Sequence, residues 1–201
     1  MNTEEQQIEQ LKAFWNEHGK GIVAGLVIGF AIFYGWRYYD AQVRAEREAA
    51  SVQFEQVVAA LFSGNDDDLT AAQDFVNNNT SAYSQLAAFQ LAKAAIDAND
   101  YGTAVSALQT IRDTAEPELA ALAALRQARV LLAQEQYEAA LAATNAAIQV
   151  SAFAAIAYEL QGDILLAKGD YSGARQAYLT AQAHGAEGLA ELKLNSIVAG
   201  S

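Results

Sequence analysis

The sequence predicts an all-α protein in which a single N-terminal transmembrane helix precedes a domain of helical repeats. Three observations support this prediction. The chain of 201 residues has one proline and abundant alanine, a composition that favours helix. Residues 21–36 are apolar and carry no charge. Three similar tyrosine-centred segments recur in the C-terminal half at intervals of 36 and 34 residues.

The composition excludes several classes of function. Lys and Arg total 12 against 24 Asp and Glu, and the net charge of −12 argues against nucleic acid as a partner, because phosphate binding needs basic surfaces. The absence of cysteine rules out a disulfide scaffold and a cysteine nucleophile, and His18 and His184 are too few for a multi-histidine metal site. The sequence has no nucleophile elbow and no phosphate loop. We therefore expect neither enzyme activity nor a metal or cofactor.

The first element is a predicted transmembrane helix, residues 20–39, behind a short acidic tail, residues 1–19. Its uncharged core lies between Lys20 and Arg37. A membrane span needs about 20 apolar residues, and these two cations lengthen a short core because their side chains can carry the charge outward. Aromatic residues that suit the membrane interfaces flank the core: Phe14, Trp15, Tyr34, Trp36, Tyr38 and Tyr39.

A cleaved signal peptide and a buried core helix are the alternative interpretations of this segment. A signal peptide fits poorly, because glutamates dominate the tail and the apolar stretch ends in aromatic residues instead of an Ala-x-Ala site. A core helix would suit a length just short of a full span. The flanking residues favour an uncleaved single anchor.

Three glycines, Gly21, Gly25 and Gly29, recur at intervals of four in the predicted span. This spacing places them on one helix face, where a second backbone can approach closely. Glycine is also common in transmembrane helices in general. Transmembrane packing through this face is therefore one of two open interpretations.

The orientation of the span is nearly balanced in charge. Lys12 and Lys20 precede the span, and Arg37, Arg44 and Arg47 follow it. Counting Lys and Arg alone leans slightly towards a cytoplasmic C-terminal domain, but a long domain can be translocated regardless of its charge. The count alone leaves the side of the membrane open.

Residues 40–83 are predicted to be connecting helices that form a degenerate repeat. Apolar residues recur at helical spacing from Val43 to Leu61, so we expect the anchor helix to continue into this region without a break. We expect residues 63–65 to end it. The acidic run at 66–68 is interpreted as the start of the next helix, because the ligand spacing of an EF-hand is missing.

Residues 84–188 are predicted to hold three repeat units. In each unit a small residue lies nine positions before a tyrosine, and an alanine lies three positions after it. Small side chains let two helices pack closely, so each unit is expected to be a hairpin whose turn precedes the tyrosine. The pattern resembles the tetratricopeptide repeat, and residues 189–201 look like the capping helix that such arrays need. The small residues are Ala92, Ala128 and Gly162, and the tyrosines are Tyr101, Tyr137 and Tyr171.

Four aspartates belong to the same pattern of turns. We expect Asp97, Asp100, Asp163 and Asp170 at or near inter-helix turns, where acidic residues commonly start helices. We expect His184 to close a helix C-terminus.

The resemblance to these repeats also implies a concave face, lined by the first helix of each unit. This face would be mostly apolar, basic in two units and acidic in the third. It could take an apolar peptide or an amphipathic helix, although the same residues could equally be ordinary core. The candidates are Leu86, Phe89, Lys93 and Ile96 in the first unit, Leu122, Leu125, Arg129 and Leu132 in the second, and Ile156, Glu159, Asp163 and Leu166 in the third.

The order of all these elements is similar to that of the YfgM family of ancillary SecYEG translocon subunits. The stretches that match are residues 14–20, 35–38, 91–92, 125–130 and 166–175. The resemblance implies a single-pass protein of the bacterial inner membrane, with a cytoplasmic N-terminus and a periplasmic repeat domain. The implied partners are the SecYEG translocon, the membrane-anchored chaperone PpiD, unfolded client polypeptides and membrane lipid.

The function implied by this resemblance is a membrane-anchored interaction module that helps to hand translocated proteins to periplasmic chaperones. Tethering raises local concentration, so even a weak groove could act on clients. Two alternatives remain. One is a purely structural adaptor that recruits PpiD without touching clients, and the other is an anchored scaffold or regulator that faces the cytoplasm.

Overall fold

A computed structural model describes residues 2–63 and 66–199, and every secondary-structure element in those residues is an α-helix. The predicted all-α class is confirmed. The chain divides into two compact units, Met1–Ala49 and Ala50–Ser201. In chain order the helices are α1 (Asn2–Ser63), α2 (Asp66–Asn78), α3 (Ala82–Asp97), α4 (Tyr101–Thr114), α5 (Pro117–Ala133), α6 (Tyr137–Ile148), α7 (Ser151–Lys168), α8 (Tyr171–Ala183) and α9 (Glu187–Ala199).

The first unit is the N-terminal part of α1. This helix runs without a break over 62 residues, as its apolar periodicity predicts, and its segment Lys12–Leu61 is long and apolar enough to cross a membrane. Large apolar side chains in this unit, such as Phe30, Ile32 and Trp36, are exposed. Such a surface is unfavourable in water and suits a lipid environment.

Some sequence-based expectations fall outside the described residues. The helix end expected at residues 63–65 includes Gly64 and Asn65, and the expected tail and cap include Met1, Gly200 and Ser201. All five residues lie outside the described part of the chain. The side chains of the acidic run at 66–68 lie outside it as well.

The second unit is a series of helical hairpins that begins with the end of α1. Phe54, Val57 and Leu61 of that helix belong to the same core cluster as residues of α2, α3 and α4. The hairpins α3–α4, α5–α6 and α7–α8 follow, and α9 contributes Ala190 and Leu194 to the core cluster of the last hairpin. The apolar core therefore continues from each hairpin to the next, as in a repeat array.

The same left-handed turn closes the first helix of each of these hairpins. Asn99, Glu135 and Gly169 occupy matching positions, with φ of 61°, 59° and 88°. In each turn the next residue donates its backbone N–H to a carbonyl five residues earlier, for example from Asp170 to Leu165 over 2.9 Å. This is the bonding of a Schellman motif, which satisfies carbonyls at the helix end. Because only glycine adopts positive φ without steric cost, the glutamate is the least suited of the three residues.

Two of the three tyrosine-containing turns carry a side-chain cap. The carboxylate of Asp100 accepts a hydrogen bond from the N–H of Thr103 over 3.1 Å, and that of Asp170 accepts one from Gly173 over 2.9 Å. Side-chain and backbone hydrogen bonds from Thr103 lower the pKa of Asp100. The matching residue of the middle unit, Gln136, makes no side-chain cap. The expectation that acidic residues start helices holds at these two aspartates.

The other two aspartates occupy different places. Asp97 is the last residue of α3, at the turn but on its incoming side. Asp163 lies inside α7, well before the end of that helix at Lys168, so its predicted place at a turn is wrong. Its side chain instead contacts α8 and α9, which the sequence pattern does not reveal.

Each hairpin pairs a small residue on its first helix with a register-matched residue on its second. In the third unit, Tyr178 is completely buried and its ring lies directly over Gly162, where any Cβ would overlap ring atoms. The residues at the corresponding positions are Ala92 and Leu108 in the first unit and Ala128 and Thr144 in the second, and all four are buried. Glycine therefore occurs in the unit whose residue at the matching position, tyrosine, is the largest of the three.

A buried polar cluster lies between the first two repeat hairpins. Gln127 on α5 is 3% exposed and donates from Nε2 to the carbonyl of Val105 and to Gln109 Oε1, each over 3.1 Å. Arg112 donates in turn to Gln127 Oε1 and Gln109 Oε1. These bonds tie α4 to α5 in one register, because a shifted helix would leave buried amide groups unsatisfied.

Candidate functional site

A largely apolar cavity lies between α3, α4 and α5. Its volume is about 320 Å³. We call it the α3–α5 pocket. Its lining residues are Phe89, Ala92, Lys93, Ile96, Tyr101, Leu108, Arg126, Arg129, Val130 and Ala133.

The pocket forms where one face of α3 meets one face of α5. On α3, Phe89, Lys93 and Ile96 follow one another at spacings of four and three, which places them on one face. On α5, Arg126 and Arg129 share a face in the same way. Small side chains between the larger ones leave room for the cavity.

The α5 side of the pocket is positively charged. The guanidinium of Arg126 lies over the ring of Phe89, 4.6 Å from its centroid, which is a cation–π contact. Arg129 is exposed, and neither arginine forms an ion pair with any residue in the described ranges. Among the described residues the two arginines at the pocket thus have no acidic partner, in a chain with twice as many acidic as basic residues.

The α3 side of the pocket is close to neutral. Lys93 forms an ion pair of 2.7 Å with Asp97, one helical turn further along α3. Both side chains are exposed, so the pair adds little stability, but it compensates the charge of the lysine locally. The electrostatic potential of the pocket is therefore asymmetric, with its positive side on α5.

A second groove adjoins the pocket through Lys93. It is lined by Val58, Leu61, Gln90, Lys93, Ala94, Asp97 and Ala98, and its volume is about 330 Å³. It lies between the end of α1 and α3, inside the second compact unit. Lys93 and its partner Asp97 separate the two depressions.

The acidic part of the predicted concave face is already occupied by α9. Lys193 on α9 forms ion pairs with Glu159 over 2.6 Å and with Asp163 over 2.8 Å. Tyr178 donates its hydroxyl hydrogen to Asp163 over 2.7 Å, and Lys193 Nζ lies 5.7 Å from the centroid of the tyrosine ring. These contacts attach α9 to both helices of the last hairpin.

The ionisation of this cluster follows from its packing. Burial raises the pKa of Tyr178, and the hydrogen bond to the Asp163 carboxylate raises it further. Burial alone would lower the pKa of Lys193, but hydrogen bonds to Asp163 and Glu159 outweigh it, and the pKa is raised. The arrangement therefore holds a charged lysine and a neutral tyrosine.

The twelve predicted concave residues separate into distinct environments. Phe89, Lys93, Ile96 and Arg129 come together in the α3–α5 pocket. Leu125 must be removed from the candidate surface, because it is 2% exposed and lies in the core cluster formed with α6 and α7. The others divide as follows: Leu122, Leu132 and Leu166 are half-buried against the core, Leu86 and Ile156 are exposed, and Glu159 and Asp163 contact α9.

Sequence reasoning missed two important basic residues. Arg126 lies three residues before Arg129, and that spacing could have placed both on one face. Lys193 carries no comparable signal, because its two partners lie 34 and 30 residues earlier in the chain.

The two histidines lie in contacts with aromatic rings. His184 is the C-cap residue of α8, as predicted, and stacks on Tyr158 with ring centroids 5.1 Å apart. His18 stacks on Phe14 at 4.9 Å. Within the described residues no group of three His, Cys, Asp or Glu side chains converges as a metal site would require.

The three predicted packing glycines lie in the first compact unit. A Cβ at Gly21, Gly25 or Gly29 would meet no atom within 4 Å. This stripe is thus open along α1, and transmembrane packing through it stays a prediction.

The fold defines a helical-repeat protein whose first helix contains a candidate membrane span. Residues 12–199 match the family model described as Tetratricopeptide repeat-like domain. The solved structure described as "MamA RS-1 ArsTM double mutant" has a TM-score of 0.53 at 19% identity, covering 74% of this chain and 82% of that chain. This likeness concerns the fold alone.

Relatives across most of the chain give the particular family. A protein of Escherichia coli (strain K12) named "Ancillary SecYEG translocon subunit" is 35% identical over 176 residues, 87% of this chain and 85% of its own length. A protein of the same name from Aggregatibacter actinomycetemcomitans is 32% identical over 202 residues, 96% of this chain and 97% of its own length. The chain belongs to this family of ancillary SecYEG translocon subunits.

Proposed function

We propose that this protein is a single-pass inner-membrane subunit associated with the SecYEG translocon. Its repeat domain lies in the periplasm, where it contacts translocated polypeptides and helps to pass them to chaperones, PpiD among them. The observation that carries the association with SecYEG is the similarity of most of the chain to ancillary SecYEG translocon subunits, and the continuity of α1 supports a repeat domain anchored in the membrane. One helix contains the candidate span and also supplies Phe54, Val57 and Leu61 to the core of the repeat domain.

The proposed activity is noncovalent. A domain held at the membrane beside the translocon meets emerging segments at a high effective concentration, so contacts that are weak in solution can still capture them. The names of the relatives support the association with SecYEG, and the α3–α5 pocket supports contact with a client.

Membrane orientation is the first test. A protease-cleavable tag is attached after Ser201, and protease is added to intact spheroplasts. We expect cleavage from outside, with a cytoplasmic marker left intact as the control. Protection until lysis would reverse the orientation, and the proposal of a periplasmic module would fail.

Association with the translocon is the second test. The tagged full chain is solubilised in mild detergent, and SecY is measured in the purified material. A matched chain whose span is replaced by an unrelated single-pass helix serves as the control. We expect SecY with the native chain, and its absence there would contradict the proposed association.

Two alternative functions make different predictions. A purely structural adaptor would recruit PpiD but give no crosslinks between its pocket and translocating clients. Photo-crosslinkers at Ile96 and Arg129 test this, with exposed Ile156 as a comparison position. The slight excess of Lys and Arg after the span favours a cytoplasm-facing scaffold, which predicts the opposite result in the spheroplast experiment.

A further inference from the structure

We propose that the α3–α5 pocket binds a polypeptide segment that inserts one large apolar side chain and places acidic side chains on Arg126 and Arg129. This inference rests on the proposed function, because it specifies the chemistry of the segment that the repeat domain contacts. The occupant is a partner or client chain in which carboxylates flank an apolar anchor.

The volume of the pocket sets the size of the anchor. Pockets for small molecules range over roughly 300–1,000 Å³. The α3–α5 pocket, at about 320 Å³, lies at the lower end of this range and is walled mainly by apolar side chains. Such a cavity suits one large apolar side chain and not an extended apolar segment.

The charges beside the pocket determine the flanking residues. Arg126 and Arg129 project from neighbouring turns of α5, and neither has an acidic partner in the described part of the chain. Two guanidinium groups at this spacing can each donate hydrogen bonds to a carboxylate, and hydrogen bonds between such charged groups are stronger than neutral ones.

The α3 side of the pocket determines where the acidic residues of the bound segment can lie. Lys93 is paired with Asp97, so a carboxylate placed there would meet a compensated lysine and a repelling aspartate. The acidic residues of the ligand should therefore lie over α5 and leave the α3 side to apolar contacts with Ile96.

The charge of the whole chain favours a polypeptide over an anionic membrane. A net charge of −12 repels an anionic lipid surface over several ångströms, whereas a short segment can reach two local arginines. Membrane binding through the same arginines is the competing outcome of the test.

The test measures binding of labelled peptides to the full chain in detergent. Three short Gly–Ser peptides are compared by fluorescence anisotropy: one with phenylalanine flanked by glutamates, one with glutamine in place of each glutamate, and one with alanine in place of the phenylalanine. We expect the first to bind at least about five times more tightly than either of the others. Equal binding of the glutamate and glutamine peptides would overturn the proposal.

Matched variants locate the site. Arg126→Gln and Arg129→Gln should each weaken binding of the glutamate peptide about five- to tenfold. Arg175→Gln removes the same charge from an exposed position on α8 and should leave binding unchanged. Arg126→Glu combined with Arg129→Glu should reverse the preference towards a lysine-flanked peptide. Equal losses from Arg129→Gln and Arg175→Gln would show an unspecific charge effect and contradict the assignment.

Two further measurements separate the possible failures. Vesicles of phosphatidylglycerol are tested with the same variants, and binding that needs the two arginines while peptide binding does not would assign the site to lipid and overturn the proposal. SecY co-purification is measured with Arg129→Gln and is expected to persist. Loss of peptide discrimination with intact SecY association would defeat this inference alone, whereas loss of SecY association by the native chain would defeat the proposed function.

Discussion

At the residue scale, the third repeat unit is organised around one size-matched contact. Tyr178 is completely buried, and it fits because Gly162 has no side chain at the point where the two helices approach. The other two units place alanine at the glycine position and a smaller residue than tyrosine at the matching position. The third unit is therefore the one in which a tyrosine ring packs directly against a glycine.

This contact gives the first prediction. Gly162→Ala should lower the free energy of unfolding by about 1–3 kcal/mol, because the added methyl group overlaps the tyrosine ring. Urea unfolding of the solubilised chain measures the change. In a Tyr178→Leu background the same substitution should be neutral or stabilising, because alanine favours helix by about 1 kcal/mol over glycine. Equal losses in both backgrounds would mean that the ring is not the cause.

The recurring left-handed turn gives the second prediction. Glu135 adopts φ of 59°, which costs a residue with a Cβ about 1–2 kcal/mol, and glycine avoids most of this cost while losing some chain entropy. Glu135→Gly should therefore stabilise the protein by about 0.5–1 kcal/mol in urea unfolding. Gly169→Ala, at the matching turn of the third unit, should change stability in the opposite direction. A loss of stability with Glu135→Gly would contradict the strain argument.

At the element scale, α9 is held by a polar cluster as well as by apolar packing. Lys193 bridges Glu159 and Asp163 on α7, and the fully buried Tyr178 on α8 bonds to the same aspartate. One basic residue thus connects the last helix to both members of the preceding hairpin. A repeat array exposes an apolar face at its end, and this cluster shows how the described part of α9 covers it.

The third prediction concerns this attachment. Lys193→Met should destabilise the packing of α9 by about 1–3 kcal/mol, because two partly buried carboxylates lose their cation. Hydrogen exchange of the α9 amides measures it. Lys93→Met, which breaks an exposed ion pair, serves as the control and should have a much smaller effect. Unchanged protection of α9 in Lys193→Met would assign its attachment to apolar packing alone.

The cluster should also respond to alkaline pH. Folding raises the pKa of both Lys193 and Tyr178. The stability that these two groups contribute is therefore complete below their unfolded pKa values of about 10, and it is lost as the pH rises through their folded pKa values. Native α9 should therefore loosen in this alkaline range. In Lys193→Met the stability of the α9 attachment should depend less on alkaline pH, because the contribution of the lysine is removed.

At the scale of the whole molecule, the sequence predicts the elements better than it predicts the faces they present. The continuous α1, the hairpins and the turns before the tyrosines follow from local periodicity and turn chemistry. The rotation of a helix about its axis depends on neighbours that are distant in sequence. Leu125 therefore faces the core while the adjacent Arg126 faces the pocket, although the repeat pattern assigned the surface position to the leucine.

The pairing of α9 could not be predicted for the same reason. The contact of Lys193 with Glu159 depends on how three helices pack, and no sequence period joins these positions. The repeat pattern did place Glu159 and Asp163 together on one face of α7 and made that face acidic. The sequence did not show which helix would pack against this acidic face of α7.

The fourth prediction concerns membrane orientation. Because the Lys and Arg counts on the two sides of the span are nearly equal, a small change should shift the orientation. Lys12→Gln with Lys20→Gln should place a measurable fraction of chains with the repeat domain in the cytoplasm, measured by protection of the C-terminal tag in spheroplasts. Arg37→Gln with Arg44→Gln removes as much charge from the other flank and should keep the tag accessible. Equal accessibility of both double variants would mean that these charges do not control orientation.

The size-matched pairs also have an evolutionary consequence. Both members of each pair lie within one hairpin, so duplication of a whole hairpin copies a compatible interior. A recombination event inside the turn would join the first helix of one unit to the second helix of another. Joining an alanine at the glycine position to the tyrosine of the third unit would place a Cβ where the tyrosine ring lies. Viable chimeras of these repeats should therefore have their junctions between hairpins, and the hairpin is the smallest module that can be exchanged.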